Sequence, residues 1–140
     1  MSTDRMNSFK QILSDNSYRV TEARINTFKL LVSTEPQSIN QILTKAKGGV
    51  DRVSVYRNIE LFEKLGIINR IYIGWKYKLE LSDDFMTHHH HMSCLVCGKT
   101  IDIEDEQHVE DFIKNVSERE GFTPRTHVFE IDGYCRNCTM

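Results

Sequence analysis

The sequence predicts an α+β fold, in which a helical N-terminal half ends in a β-hairpin and a small α/β module carrying metal ligands follows. Apolar residues recur at helical spacing in four segments of the first half, and a segment rich in β-branched and aromatic residues comes after them. The second half holds two Cys-x-x-Cys pairs and a run of four histidines, His88 to His91. We expect two domains, 1–82 and 83–140.

Four helices are predicted in the first domain from apolar periodicity. Phe9 and Leu13 mark the first helix, which is predicted to end around Asp15. Thr21 is a suitable N-cap for the second helix. Ser38 opens the third, with Gln41 three residues on in the capping-box arrangement. The fourth runs from about Arg52 to Leu65, and Gly66 follows at the position that favours a left-handed C-terminal cap.

After Gly66 the apolar pattern changes to that of strands. Residues 67–73 are rich in β-branched and aromatic residues, Gly74 can form a turn, and residues 75–79 alternate. Helices followed by a hairpin predict a winged helix-turn-helix. In that fold the last helix enters the major groove of DNA, and its predicted outward face carries Ser54, Tyr56, Arg57 and Asn58. The wing would add phosphate contacts from Arg70, Lys76 and Lys78, although a Tyr-Arg pair on a helix is also ordinary solvated surface.

The second domain is predicted to contain a strand at residues 101–103, an amphipathic helix that ends near Gly121, and a strand at residues 126–131. Asp132 and Gly133 would then turn the chain into the last cysteine pair. Two Cys-x-x-Cys pairs can close a tetrahedral four-thiolate zinc site, because a two-residue spacer lets both sulfurs reach one ion. Redox-active or disulfide-bonded pairs are the alternative, and two identical spacings in an intracellular chain favour zinc. The predicted ligands are Cys94, Cys97, Cys135 and Cys138.

The histidine run is internal, and the segments on both sides of it have the pattern of a folded domain. We therefore do not interpret it as an expression tag. Side chains of an extended segment alternate between its two faces. His89 and His91 would therefore point one way, and His88 and His90 the other. One run can thus supply ligands to two separate sites.

Charge differs between the two predicted domains. Residues 1–82 carry 13 Lys/Arg against 8 Asp/Glu, whereas residues 83–140 carry 5 against 12. Every cysteine and histidine lies in the acidic part. This asymmetry suggests that one domain meets a polyanion while the other holds metal. Neither a membrane-length apolar run nor a secretory signal is visible, so we expect a cytoplasmic protein without membrane association.

From about residue 8 to its C-terminus the chain resembles the ferric-uptake regulator family of metal-responsive bacterial repressors. The order and spacing of the family's motifs are maintained. The matching segments are residues 18–24, 54–59, 65–68 and 88–99, then Gly121-Phe122, His127, Gly133 and the last cysteine pair.

The resemblance implies a homodimer that pairs through its C-terminal modules and places two winged domains on a palindromic operator in double-stranded DNA. It implies structural zinc on the four cysteines, and it adds Arg19 and Thr21 to the expected DNA-contacting residues. A regulatory site near the hinge would draw on His89, His91 and Asp102. A third site would use His88, His90, Glu110 and His127.

The chain departs from the family at the regulatory site. Many members supply a histidine from the DNA-binding domain, but this sequence has no histidine or cysteine before His88. The hinge carboxylate aligns near Lys78 or Glu80, and we take Glu80 as the ligand. Mixed imidazole and carboxylate ligands suit Fe(II) and Zn(II), and also Mn(II) and Ni(II), so the regulatory metal stays open.

Other function classes explain less of the sequence. A metalloenzyme would use the histidines for catalysis, but no His-Glu-x-x-His, nucleophile elbow or phosphate loop is present, and we expect no enzyme. A zinc storage or delivery protein would need no DNA. Within the family, a peroxide-sensing regulator remains an alternative to a repressor of metal uptake or homeostasis genes.

Overall fold

The computed structural model describes residues 3–86, 88–104 and 106–139. The chain divides into two compact units, Met1–His88 and His89–Met140. Helices dominate the first unit, and a small sheet with one helix makes up the second, which confirms the predicted α+β fold. None of the helices in the described part of the chain combines the length and apolar character needed to cross a membrane.

The first unit consists of four helices followed by two strands. Their bounds are α1 (Thr3–Asp15), α2 (Glu22–Leu31), α3 (Ile39–Ala46), α4 (Arg52–Lys64), β1 (Ile68–Ile73) and β2 (Lys76–Leu81). β1 and β2 form an antiparallel hairpin in which Ile68 faces Leu81 and Ile73 faces Lys76. The helices and the hairpin form the predicted winged helix-turn-helix.

Local side-chain and backbone hydrogen bonds determine where these helices start and stop. The Thr21 hydroxyl accepts from the backbone N–H of Arg24, and Ser38 and Gln41 form the predicted reciprocal capping box. Asp51 accepts from the backbone N–H of Ser54 and caps α4. This hydrogen bonding to Ser54, first through its side chain and then through its backbone, lowers the pKa of Asp51.

The apolar core lies in the first unit and joins all four helices to the hairpin. Phe9 stacks on Phe28 with ring centroids 4.2 Å apart and meets Phe62 edge-on at 5.2 Å. Phe85 is buried against Phe28 at 5.3 Å, and this contact ties residues 83–86 to the first unit rather than the second. The buried members are Phe9, Leu13, Phe28, Leu31, Ile42, Ala46, Val55, Ile59, Phe62, Ile67, Ile68, Leu79, Leu81 and Phe85.

The second unit contains strands β3 (His91–Cys94), β4 (Thr100–Asp102) and β5 (Glu130–Gly133), and helix α5 (Glu106–Arg119). β3 is the central strand of the sheet, antiparallel to β4 and parallel to β5. Among the described residues of this unit, the buried side chains are His90, His91, Ser93 and Cys94. The apolar side chains of α5 and β5 are at most half-buried, so the described part of this unit lacks an apolar core like that of the first.

The bounds of the last strand differ from the sequence prediction. Residues 126–129 lie outside β5, whereas Asp132 and Gly133, predicted to form a turn, lie within it. The partner strand explains the difference, because the ladder with β3 begins at the His91–Glu130 pair and ends at the Cys94–Gly133 pair. Alternation of residue types predicts a strand but not the length of its partner.

Candidate metal centres and nucleic-acid interface

Four cysteine sulfurs form a compact cluster in the second unit. The Sγ atoms of Cys94, Cys97, Cys135 and Cys138 all lie within 4.8 Å of one another. Cys97 Sγ and Cys135 Sγ are 3.8 Å apart. A tetrahedral zinc ion with Zn–S bonds of about 2.3 Å places its sulfurs about 3.8 Å from each other. The donor set and its spacing therefore fit a four-thiolate zinc site, and no disulfide joins these cysteines.

Strand pairing brings the two cysteine pairs together. β3 ends at Cys94, and its parallel neighbour β5 ends at Gly133, two residues before Cys135. The Leu95 N–H donates to the Gly133 carbonyl at 2.8 Å and holds the two strand ends in register. Within each pair, the backbone closes a tight turn, with Gly98 N–H donating to Cys94 O and Cys138 N–H to Cys135 O, both at 2.9 Å.

Hydrogen bonds within the cluster give its thiols different pKa values. The Cys135 N–H donates to Cys94 Sγ at 3.3 Å, and this bond, with a further one from the Cys97 N–H, lowers the pKa of Cys94 to about 6. Hydrogen bonding to Cys135, followed by burial, raises the pKa of Cys138 to about 12. Zinc binds thiolates, so an ion entering this cluster would displace the proton that Cys138 holds at neutral pH.

A second group of ligands joins the histidine run to α5. His90 Nε2 lies 2.8 Å from Glu110 Oε1, and His127 Nε2 lies 3.0 Å from the same oxygen. His90 is buried and its ring is 5.2 Å from that of His127. Two imidazoles and a carboxylate in mutual contact can hold a divalent cation.

A third group lies on the other side of the histidine run. The rings of His89 and His91 are 4.5 Å apart. His91 Nε2 lies 3.6 Å from Asp102 Oδ1, because His91 pairs with Asp102 across the β3–β4 ladder. His90 contacts Glu110 instead, so neighbouring histidines point to opposite sides, as the alternation predicted.

The remaining predicted ligands, His88 and Glu80, belong to the first unit. His88 Nδ1 lies 2.6 Å from Asp83 Oδ2. Glu80 is half-buried on β2, where it faces Asn69 on β1.

Helix α4 turns one polar and partly aromatic face to solvent. Tyr56 is 41% exposed, and the neighbouring Arg57 is also exposed. Arg52 and Val53 lie one helical turn earlier on the same face, with the guanidinium carbon of Arg52 5.7 Å from the centre of the Tyr56 ring. We did not predict these two, although their spacing of four from Tyr56 and Arg57 was visible in the sequence.

The prediction that Asn58 faces outward is wrong. Its side chain is buried, and its Nδ2 donates to Thr27 Oγ1 at 2.9 Å and to Ala23 O at 3.3 Å. Asn58 therefore joins α4 to α2. The sequence could not reveal the burial of Asn58. A polar residue next to Arg57 is expected to be solvent-exposed unless its hydrogen-bond partner on another helix is known.

The other predicted DNA-contacting residues differ in how accessible they are. Arg19 and Lys76 are exposed, and Thr21 is an exposed N-cap. The Ser54 hydroxyl donates to Asp51 at 2.6 Å and so contributes to the cap of α4. Arg70 donates to Glu63 at 2.5 Å, and this carboxylate holds the pKa of Arg70 above its ordinary value.

Comparison with known proteins gives consistent matches along most of the chain. The Ferric uptake regulator family matches residues 15–132. The ferric uptake regulation protein of Bacillus subtilis is 28% identical over 96% of this chain and 95% of its own length. The peroxide-responsive repressor PerR of Staphylococcus saprophyticus is 30% identical over 90% of this chain and 86% of its own.

Solved structures of ferric uptake regulators share the fold of this chain. The Vibrio cholerae ferric uptake regulator superposes with a TM-score of 0.72 at 26% identity, covering 90% of this chain and 98% of that one. The Helicobacter pylori regulator Fur, described as having three functional metal-binding sites, has the same fold, with a TM-score of 0.77 at 21% identity over 96% of this chain and 91% of its own. The chain therefore belongs to the ferric uptake regulator family of metal-responsive transcriptional regulators.

Proposed function

We propose that this chain is a metal-dependent repressor that binds a palindromic operator as a homodimer and controls genes of metal uptake or homeostasis. The observation that carries the proposal is the combination of an exposed aromatic and basic face on α4 with histidine–carboxylate groups in the second unit. Family membership supports both parts. A zinc storage or delivery protein would have no use for the α4 face.

The four cysteines are proposed to hold structural zinc. Their sulfur spacing supports tetrahedral coordination. Because the second unit has little apolar core, a metal crosslink between its two chain ends would supply much of its stability. The ion would act here as a crosslink and take part in no chemistry.

The regulatory site is proposed at His89, His91 and Asp102, with Glu80 as the ligand from the first unit. A third site is proposed at His88, His90, Glu110 and His127. The imidazole and carboxylate ligands of both sites suit Fe(II) or Zn(II). The same types of ligand can also bind Mn(II) and Ni(II). A metal raises operator affinity only if it binds the DNA-competent conformation more tightly than the other.

Homodimerisation would complete the second unit. β5 is an edge strand of the sheet, and the segment leading into it exposes large apolar side chains. Val128 is 82% exposed, and Phe129 and Ile131 are exposed as well. A second copy that covers this edge would remove apolar surface from water.

Metal-dependent DNA binding is the direct test. Protein treated with chelator and then reconstituted with zinc alone at the cysteine site would be titrated into labelled DNA, with Fe(II), Zn(II), Mn(II) or Ni(II) added separately. A duplex selected from a random pool serves as the probe. We expect fluorescence anisotropy to show tight binding only after a second equivalent of one of these metals is added.

A paired substitution and a matched control separate the regulatory site from a general loss of histidine. His89→Ala with His91→Ala should abolish the metal response, whereas His108→Ala, which removes an exposed histidine on α5, should retain it. Binding that is identical with and without metal would overturn metal control. Failure to recover any duplex would favour the storage protein.

A peroxide-sensing function is the second candidate. It is motivated by the similarity to the PerR repressor and by the contact of Asp102 with His91. His89, His91 and Asp102 would hold the iron, which would supply the redox chemistry by which hydrogen peroxide oxidises a ligating imidazole, one oxygen atom entering the ring and the other leaving as water. Mass spectrometry of the Fe(II) form after treatment with hydrogen peroxide should then show one added oxygen on His89 or His91, which the Zn(II) form lacks. If the histidines of both forms stay unmodified, peroxide sensing is rejected and metal sensing is the function that remains.

A further inference from the structure

The turn of the β1–β2 hairpin presents the single tryptophan of the chain to solvent. Trp75 is 87% exposed, although tryptophan side chains are highly buried on average. The turn is a two-residue loop between the paired Ile73 and Lys76, and Gly74 has φ 61 at its first position. Glycine with positive φ at this position is the arrangement of a type II′ turn, which matches the twist of the strands. A defined turn therefore holds Trp75 at the far end of the wing.

The side chains around Trp75 are aromatic and cationic. Lys76 Nζ lies 5.2 Å from the centre of the indole ring. One rung below, Tyr72 pairs with Tyr77, their rings 6.4 Å apart, and the Arg70 guanidinium lies over Tyr77 at 4.3 Å. Residues 66–79 include three Lys/Arg and no Asp/Glu. We call residues 74–76 the wing tip.

This composition fits nucleic acid better than a protein surface. The wall of the minor groove is made of deoxyribose, which an indole can pack against, and its floor offers acceptors to the indole N–H. Phosphates border the groove and attract a lysine. The exposed apolar side chains of the second unit, Val128, Phe129 and Ile131, differ because they follow closely on one another in the edge strand β5 and the segment just before it, as a protein contact requires.

We propose that Trp75 is a DNA-contacting residue whose indole packs against the deoxyribose wall of the minor groove, with Lys76 at the phosphate rim. The inference rests on the proposed DNA-binding function and adds a contact that lies outside the recognition helix. Minor-groove width depends on sequence, so Trp75 would also read DNA shape beside the bases that α4 reads.

Trp75 itself reports the contact, because it is the sole tryptophan. The probe is the duplex selected from a random pool by the metal-loaded wild-type protein. On binding, the indole emission should change and its quenching by acrylamide, a neutral quencher that DNA does not repel, should fall severalfold. Hydroxyl-radical cleavage, which attacks deoxyribose from the minor groove, should show protected sugars on the flanks of the site.

Substitutions then test the contribution of the ring. Trp75→Ala should weaken binding about tenfold, equivalent to about 1.4 kcal/mol, and should lose the flanking sugar protection. Trp75→Phe should restore most of the affinity because it keeps an aromatic ring. Tyr72→Ala, which removes another exposed aromatic side chain from the same hairpin, is the matched control and should weaken binding less. Circular dichroism should be unchanged in all three variants.

The outcomes distinguish this inference from the function on which it rests. A duplex that binds by anisotropy without reducing the acrylamide quenching of wild-type Trp75, and whose sugar protection is unaffected by Trp75→Ala, would overturn the wing-tip contact alone. Equal losses of DNA affinity in Trp75→Ala and Tyr72→Ala would also reject the assignment of the DNA contact to the wing tip. If the wild-type protein retains no duplex, both the proposed function and the inference fall.

Discussion

At the scale of single residues, Arg57 and Asn58 are neighbours in sequence on α4 but differ in burial. Arg57 is exposed, whereas Asn58 is buried and donates to Thr27 and Ala23 on α2. A buried polar group that loses its partner costs more than a hydrogen bond contributes when it is made. Stability and the proposed DNA recognition therefore depend on different side chains of the same helix, and the two can be separated by mutation.

Asn58→Ala should lower the free energy of unfolding by about 1–3 kcal/mol, since the Ala23 carbonyl and the Thr27 hydroxyl lose a buried donor. Arg57→Ala should leave stability within about 0.5 kcal/mol of wild type but weaken DNA binding by about 1–3 kcal/mol. Urea denaturation and anisotropy titrations would measure the two effects. An Asn58→Ala protein as stable as wild type would refute the buried role.

At the scale of elements, the junction between α4 and the wing depends on one glycine. Gly66 has φ 70, its N–H donates to Glu63 O at 3.1 Å, and the following Ile67 N–H donates to Phe62 O at 2.8 Å. These bonds end α4 and turn the chain into β1. The orientation in which α4 and the hairpin are presented is thus set by a left-handed residue.

Gly66→Ala should destabilise the protein by about 1–2 kcal/mol because a side chain is strained at this φ. The space itself is open, since an added Cβ meets nothing within 4 Å. Gly49→Ala is the matched control: its φ lies outside the left-handed range and its Cβ would make an ordinary 3.6 Å contact with Ala46 O. Equal stability of the two variants in thermal denaturation would argue against strain at Gly66.

At the scale of the whole molecule, the two units are stabilised by different means. The core cluster lies within residues 9–85, whereas the described part of the second unit buries mainly histidine, serine and cysteine side chains. Apolar burial therefore stabilises the first unit, and the proposed zinc and partner subunit stabilise the second. Loss of metal should affect the two units unequally.

Removing zinc from the cysteine site should expose residues 89–139 to protease and convert dimer to monomer, while the first unit keeps its helical signal. Zinc uptake should strengthen as pH rises, because Cys138 has a pKa of about 12 and must release its proton to bind. Limited proteolysis, light scattering and a zinc titration between pH 6 and pH 8 would check these effects. Unfolding of both units together, or metal affinity that falls with rising pH, would contradict this account.

Much of the local structure could be predicted because it depends on neighbouring residues. The capping box at Ser38, the end of α4 at Gly66 and the opposite directions of His90 and His91 follow from side chains and dihedral preferences within a few positions. Two Cys-x-x-Cys pairs likewise indicate a shared metal from ligand type and spacing.

The sequence by itself determined the period of each element, the caps of the helices and the kinds of ligand available. Only the tertiary structure decided that Asn58 turns inward, that Phe85 joins the first core, that β5 starts at Glu130, and that sulfurs 38 residues apart lie 3.8 Å from each other. The reason is that dihedral preferences and caps act within a few residues. Burial, strand pairing and metal coordination depend on partners that the chain brings close only by folding.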